Sequence, residues 1–218
     1  MQRLIPALLI GAAIGSWQPA VAEEVGKVGV DWTGNDIIVA LAALIGYSGY
    51  KIYDARYGGE PYGVPFALVD HTGAPITEAA FAGHPSILFF GFTNCPEICP
   101  TTLAEMDGWL KQLGDEGKNV RAYFVSIDPE HDTPEVLKNY VTSVSDRVTG
   151  ITGDPAKVGE MAKGYNIYFK KVPLDTGGYT VDHTASVLLL TDRREFAGTI
   201  SYGESKEAAV LKLKRLAG

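Results

Sequence analysis

The residues of this chain that could do chemistry are few and closely placed. Its only two cysteines, Cys95 and Cys99, stand four positions apart, and each is followed directly by a proline. They lie where the apolar run Ile87–Phe90 ends in Gly91-Phe92-Thr93-Asn94 and a helical pattern takes over. A strand-to-helix junction is where α/β proteins place their ligands. With a helix starting near Cys99, free backbone N–H groups favour thiolate over thiol. Pro100 suits a first helical turn, where its missing donor costs nothing. A Cys-x-x-Cys pair in this position would be a redox dithiol. The Cys-x-x-x-Cys spacing instead lets two sulfurs surround one metal ion or close as a disulfide. Thiolates favour Cu(I) or Zn(II) over magnesium or calcium.

Two sulfurs leave room for a further ligand, and four histidines are available. His71 falls in a hairpin turn, His84 in a loop before the first core strand, and His131 in the charged loop Pro129–Asp132. These three read most simply as surface or capping residues. His183 precedes the apolar strand Ala185–Leu190, and the loop before that strand can approach the cysteine turn. That makes His183 the best third ligand on topology, with an ordinary histidine an equal alternative on the residues alone. For the cysteines the alternative is a buried pair or an inert disulfide.

The elements that must position these groups follow from the apolar pattern. Ser86–Phe92 is a strand buried on both faces, and Asn119–Ile127 is the second central strand. Thr101–Leu113 is a helix, with Leu103, Met106, Leu110 and Leu113 at spacings of three and four. Asp132-Thr133-Pro134-Glu135 opens a helix reaching about Val144. Ile151–Pro155 reads as a turn before the helix Ala156–Lys163. Asn166–Lys170 and Gly178–Val181 are strands joined by the loop Pro173–Gly177. Ala185–Leu190 is a third core strand, Glu195–Ile200 its partner, and Lys206–Leu216 a closing helix. Before all of these, Pro65–Val69 and Ala74–Thr77 flank a hairpin turn at Asp70–Gly73. The expectation is an α/β fold, a central mixed sheet flanked by helices, with an extra N-terminal hairpin.

The chain has 218 residues, 46% hydrophobic and 21% charged, which describes a globular protein with a core of moderate size. A formal charge of -7 without a basic stripe excludes non-specific nucleic-acid binding. At the N-terminus, Met1-Gln2-Arg3, the apolar run Leu4–Gly15 and Pro19-Ala20-Val21-Ala22 form a signal-peptide pattern over 1–22. Residues 23–61 follow as an arm, a marginal apolar segment at 37–50 and a Gly/Tyr/Pro-rich linker. That segment falls short of the roughly 20 residues a comfortable membrane span needs, so it reads as a marginal anchor. A cleaved signal followed by a true span would return the main domain to the cytoplasm. A signal-anchor at 37–50 would leave it outside. The main domain occupies 62–218.

The blocks GFTNCPEICPTTL, YFVSIDPEHDTPEVL and YTVDHTASVLL occur in this order, with a Thr-Gly turn between the last two. Together they resemble the Sco/SenC family of copper-binding, thioredoxin-like proteins, from Tyr62 to about Leu216. The resemblance implies a thioredoxin-like fold with extra strands and an inserted hairpin. It implies copper as Cu(I) or Cu(II), with ligands mapping onto Cys95, Cys99 and His183. It suggests a ligand-orienting or partner-contacting role for Asp128 and an orienting role for Asp182. Lys170–Pro173 and Leu174–Tyr179 resemble the mobile loop that carries the family's histidine segment. One turn departs from the family pattern, since Asp192-Arg193-Arg194-Glu195 lacks the usual glycine. Residues 24–38 resemble the mature start of CreA-like periplasmic proteins, which would place two export-type starts in tandem.

The function implied is a copper chaperone for the dinuclear copper centre of cytochrome c oxidase. Its partners would be the oxidase copper-bearing subunit, a thiol reductant and a copper donor. It would work in the bacterial periplasm, anchored at the outer face of the inner membrane. The alternative is a thiol–disulfide oxidoreductase that reduces the cysteines of that subunit. A peroxidase-like thiol enzyme fits less well, because neither cysteine is marked out as the dominant one.

Overall fold

The computed structural model describes residues 34–57 and 59–218. The signal sequence expected at 1–22, the arm as far as residue 33 and most of the CreA-like segment lie outside the described residues. Helix α1, Gly34–Tyr57, extends the apolar segment in both directions and belongs to a unit of its own. Ile38, Val39, Leu41, Ile45, Tyr47 and Tyr50 are exposed along it. No helix among the described residues is long and apolar enough to cross a membrane.

The second unit, Gly59–Gly218, is built on a seven-stranded mixed sheet. Its strands are β1 (Ala67–Asp70), β2 (Pro75–Thr77), β3 (Ser86–Gly91), β4 (Arg121–Ser126), β5 (Val148–Thr152), β8 (Ser186–Leu190) and β9 (Phe196–Ser201), in the order β2-β1-β5-β4-β3-β8-β9. Strands β3, β4 and β5 are parallel, and the other pairings are antiparallel. Strands β6 (Phe169–Pro173) and β7 (Tyr179–His183) form a separate two-stranded sheet. The helices are α2 (Ile98–Leu113), α3 (Pro134–Val144), α4 (Pro155–Gly164) and α5 (Lys206–Ala217).

Every residue of β3 is buried, as its unbroken apolar pattern requires. Alternation sends Phe89 and Phe90 to opposite faces. Phe89 packs on Phe124, whereas Phe90 packs on Tyr165 just after α4. Burying each of these rings stabilises the fold by about 1.5–3 kcal/mol. On α2, Leu103, Met106, Trp109, Leu110 and Leu113 are all buried, the stripe that the three–four spacing predicts. The N-terminal hairpin is present as β1–β2, and Asp70 closes its turn by accepting from the Thr72 and Ala74 amides. Thr133 and Asp154 cap α3 and α4, each followed by proline at the first helical position.

Three expectations need correction. Residues 148–152, part of which reads as a turn in the sequence, form β5, a strand between β1 and β4. Gly150 disguises it, yet the strand needs that glycine, since a Cβ there would meet Leu137 of α3 at 2.7 Å. Helix α2 starts at Ile98, three residues earlier than the periodicity suggests, because Cys99 and Pro100 already lie in its first turn. The second hairpin is shifted towards the C-terminus, so that His183 is the last residue of β7 and not a loop residue.

Candidate metal centre

The site forms where the C-terminal end of β3 meets the N-terminus of α2. Cys95 lies in the turn between them, with its amide donating to the Phe92 carbonyl. The residue at the start of α2, Glu97, provides no side-chain cap. The Cys95 sulfur takes that place, accepting the Cys99 amide at 3.3 Å. A helix N-terminus leaves such donors free, so Cys95 Sγ sits where negative charge is favoured.

Cys99 is fully buried, whereas Cys95 is half-buried. Gly91 makes room for the deeper sulfur, because a Cβ at that position would approach Cys99 Sγ to 2.8 Å. Burial pushes the Cys99 thiol far above its ordinary range, and a backbone hydrogen bond from Phe92 opposes this only in part. For this cysteine desolvation outweighs the helix terminus, and the metal-free resting form is the thiol.

His183 arrives from β7, 84 positions further along the chain, and its Nε2 lies 3.6 Å from Cys99 Sγ. Nδ1 donates to the Thr184 carbonyl at 3.0 Å, which leaves the Nε2 lone pair facing the sulfur. Phe89 and Phe92 hold the ring edge to face at 6.0 and 5.9 Å. Burial lowers the His183 pKa, opposed by the Thr184 hydrogen bond and the charge of Asp182, and so favours the neutral imidazole. One donor atom from each of Cys95, Cys99 and His183 lies within 4.8 Å of the others. Two soft sulfurs and a neutral imidazole suit Cu(I) or Zn(II). Cys95 and His183, but not the deeper Cys99, border a cleft of about 420 Å³ that Pro96, Ile98, Tyr168 and Val181 also line.

Residues 54–218 match the family model described as SCO1/SenC. The chain belongs to this family. The human "Protein SCO1 homolog, mitochondrial" is 37% identical over 149 residues, which cover 65% of this chain and 48% of that protein. The copper-bound structure of Bradyrhizobium japonicum ScoI is 39% identical, with a TM-score of 0.66 over 71% of this chain and 99% of that one. BsSco, described as having a disulfide switch and as a member of the Sco family of cytochrome c oxidase assembly proteins, is 25% identical. It has a TM-score of 0.59 over 73% of this chain and 96% of that one. The chain spans about half the length of the curated relatives it matches first. The thioredoxin-like α/β fold read from the sequence is therefore that of its SCO1/SenC relatives.

The other residues singled out in the sequence are differently placed. Asp128, just beyond β4, is buried and paired with Lys171 and Tyr179 of the second hairpin. Asp182 is exposed, and it is the Thr184 carbonyl that holds His183 Nδ1. His71 Nδ1 accepts the Gly150 amide, His84 Nδ1 meets Ser86 Oγ, and His131 Nδ1 meets Asp132. Sequence reasoning missed Asp132 as a support. Its buried carboxylate accepts from the amide and hydroxyl of Thr93 and from Ser126 Oγ, tying the cysteine turn to the loop after β4. It also passed over Lys171 and Tyr179 individually, although Tyr179, Val181 and His183 carry a period-two signal on one strand face.

Proposed function

We propose that this protein is a copper chaperone that helps to build the dinuclear copper centre of cytochrome c oxidase, with Cys95, Cys99 and His183 holding the metal as cargo. The observation that carries the reading is the meeting of these three donors within 4.8 Å in a SCO1/SenC fold. Copper in the related ScoI structure supports it. The copper displaces the Cys99 proton, and the neutral His183 binds through Nε2. The cleft beside Cys95 and His183 would let an acceptor's ligands approach as those of this chain leave. The domain spanning 62–218 carries the site.

The partners of this reading are the copper-bearing oxidase subunit, a copper donor and a thiol reductant that keeps both sulfurs reduced outside the cytoplasm. The setting is the bacterial periplasm, at the outer face of the inner membrane, a placement supported by the signal-peptide pattern of residues 1–22. Protease cleavage of the domain in intact spheroplasts checks this placement, and full protection argues against it.

Cys95 and Cys99 are both free, and a disulfide switch is described for BsSco. These observations favour a second reading, reduction of the acceptor's cysteines by the same pair. Copper titration of the reduced protein separates the two. One Cu(I) per chain, weakened by His183→Ala, supports the chaperone. Absence of copper binding, with dithiol reductase activity that survives His183→Ala, refutes it.

A further inference from the structure

The hairpin that carries His183 pairs with no strand of the main sheet. Its position over the cysteines is therefore set by side chains and by its base. The base is fixed, with the Ile167 amide bound to the Ala162 carbonyl at the end of α4 and β8 leading on from β7. The tip needs a separate attachment.

Alternation along β7 puts Tyr179, Val181 and His183 on one face. Cross-strand pairing adds Phe169, opposite His183, and Lys171, opposite Val181. Val181 is buried on this face, and at its far end Lys171 and Tyr179 reach Asp128. Lys171 Nζ lies 2.8 Å from Asp128 Oδ1 and 2.6 Å from Glu130 Oε2. It also stands 4.4 Å from the centroid of the Tyr179 ring. The Tyr179 hydroxyl donates to Asp128 Oδ2 at 2.7 Å.

Both oxygens of a carboxylate only 1% exposed are thus met from the hairpin. Lifting the tip removes both contacts at once and leaves a desolvated charge without partners, which is strongly unfavourable. The backbone amide of Asp128 has a partner elsewhere, in Ser126 Oγ, so this loop keeps its own anchor when the hairpin moves.

We infer that Lys171 and Tyr179 are positioning residues, which clasp Asp128 and thereby hold His183 against Cys99. The inference rests on the reading of Cys95, Cys99 and His183 as the copper ligands. The clasp acts at a distance. Tyr179 is four residues from His183, about 13 Å along an extended strand, and touches neither sulfur. Its effect on copper must pass through His183, which a general contribution to stability need not do.

The test compares the full-length chain with Tyr179→Phe, Lys171→Met and the conservative Lys171→Arg, each also in a His183→Ala background. In the reduced, metal-free protein, nitrogen-15 signals of the His183 ring shift and broaden in Tyr179→Phe and Lys171→Met. Those of His71 and His84 stay in place, and Lys171→Arg restores the His183 signals. Cu(I) release to excess bathocuproine disulfonate is roughly 10-fold faster in the two clasp variants and is not further accelerated once His183 is alanine. Unchanged His183 signals in both variants overturn the inference, as does equal acceleration in the two backgrounds. The ring signals decide the matter even for a chain that binds no copper, whereas the copper reading fails separately if His183→Ala leaves binding unaltered.

Discussion

Gly91 and Cys99 share a space too small for one more carbon. An added Cβ would lie 2.8 Å from Cys99 Sγ and 3.0 Å from the Phe124 ring. Gly91→Ala therefore overpacks the floor of the site, at a cost of about 1–3 kcal/mol, and moves the sulfur. Urea unfolding shows the lost stability, and chelator competition shows weaker copper binding. Gly108→Ala is the control, since nothing lies within 4 Å of a Cβ there. The same burial gives copper binding a pH dependence. The Cys99 thiol is raised by desolvation and stays protonated at neutrality, so on the proposed copper-site reading Cu(I) must displace its proton. Apparent affinity then rises with pH by about tenfold per unit for that one proton. Lowered by burial, the His183 pKa adds a proton to displace only on the acid side of its ordinary value. Buffered-chelator titrations between pH 6 and 8 measure the slope, and a flat profile contradicts the assignment of Cys99 as a thiol. The cysteines are legible in the sequence because two prolines and a helix start surround them. The Asp128 clasp is not, because no short pattern ties residue 128 to residues 171 and 179.

Among the elements, the turn between β8 and β9 lacks its family glycine but keeps the glycine conformation. Arg194 has φ 66°, in the left-handed region, and its amide closes the turn on the Thr191 carbonyl at 2.9 Å. A side chain in that region costs about 1–2 kcal/mol, and glycine gives back about 0.5–1 through its freer unfolded state. Arg194→Gly is expected to raise stability by roughly 0.5–1 kcal/mol, read as a higher urea midpoint at unchanged slope. Strands β3, β4 and β8 can be read directly, since the runs Ile87–Phe90, Ala122–Val125 and Val187–Leu190 at their centres are apolar and buried on both faces. Strand β5 cannot, because Val148-Thr149-Gly150-Ile151-Thr152 runs into Gly153-Asp154-Pro155 and looks like part of a long turn. What makes it a strand is its place beside β4 and under α3, which is tertiary information.

At the scale of the molecule, a metal held by Cys95, Cys99 and His183 would be part of the stability of the unit 59–218. The cysteines belong to the β3–α2 junction, and the histidine to a hairpin with no backbone ladder to the main sheet. A ligand shared between them favours the folded form by mass action. Free Cu(I) at 100 times its dissociation constant adds about 2.7 kcal/mol. Thermal unfolding under reducing conditions should therefore move upward with copper in the wild type and much less in His183→Ala. Equal shifts in both would mean that the metal does not bridge the two parts. This long-range meeting was only half legible. Strand order could bring the His183 segment near the cysteines, but choosing it over an ordinary histidine took the resemblance to a family.

The 84 residues between Cys99 and His183 also impose an order in time. A chain made or threaded from its N-terminus presents both thiols before the third donor exists. At about 5–20 residues per second that interval is roughly 4–17 seconds. In an oxidising compartment the sulfurs can close on each other during it. On the copper-chaperone reading, a newborn molecule whose sulfurs have closed would have to be reduced once before it carries its first ion.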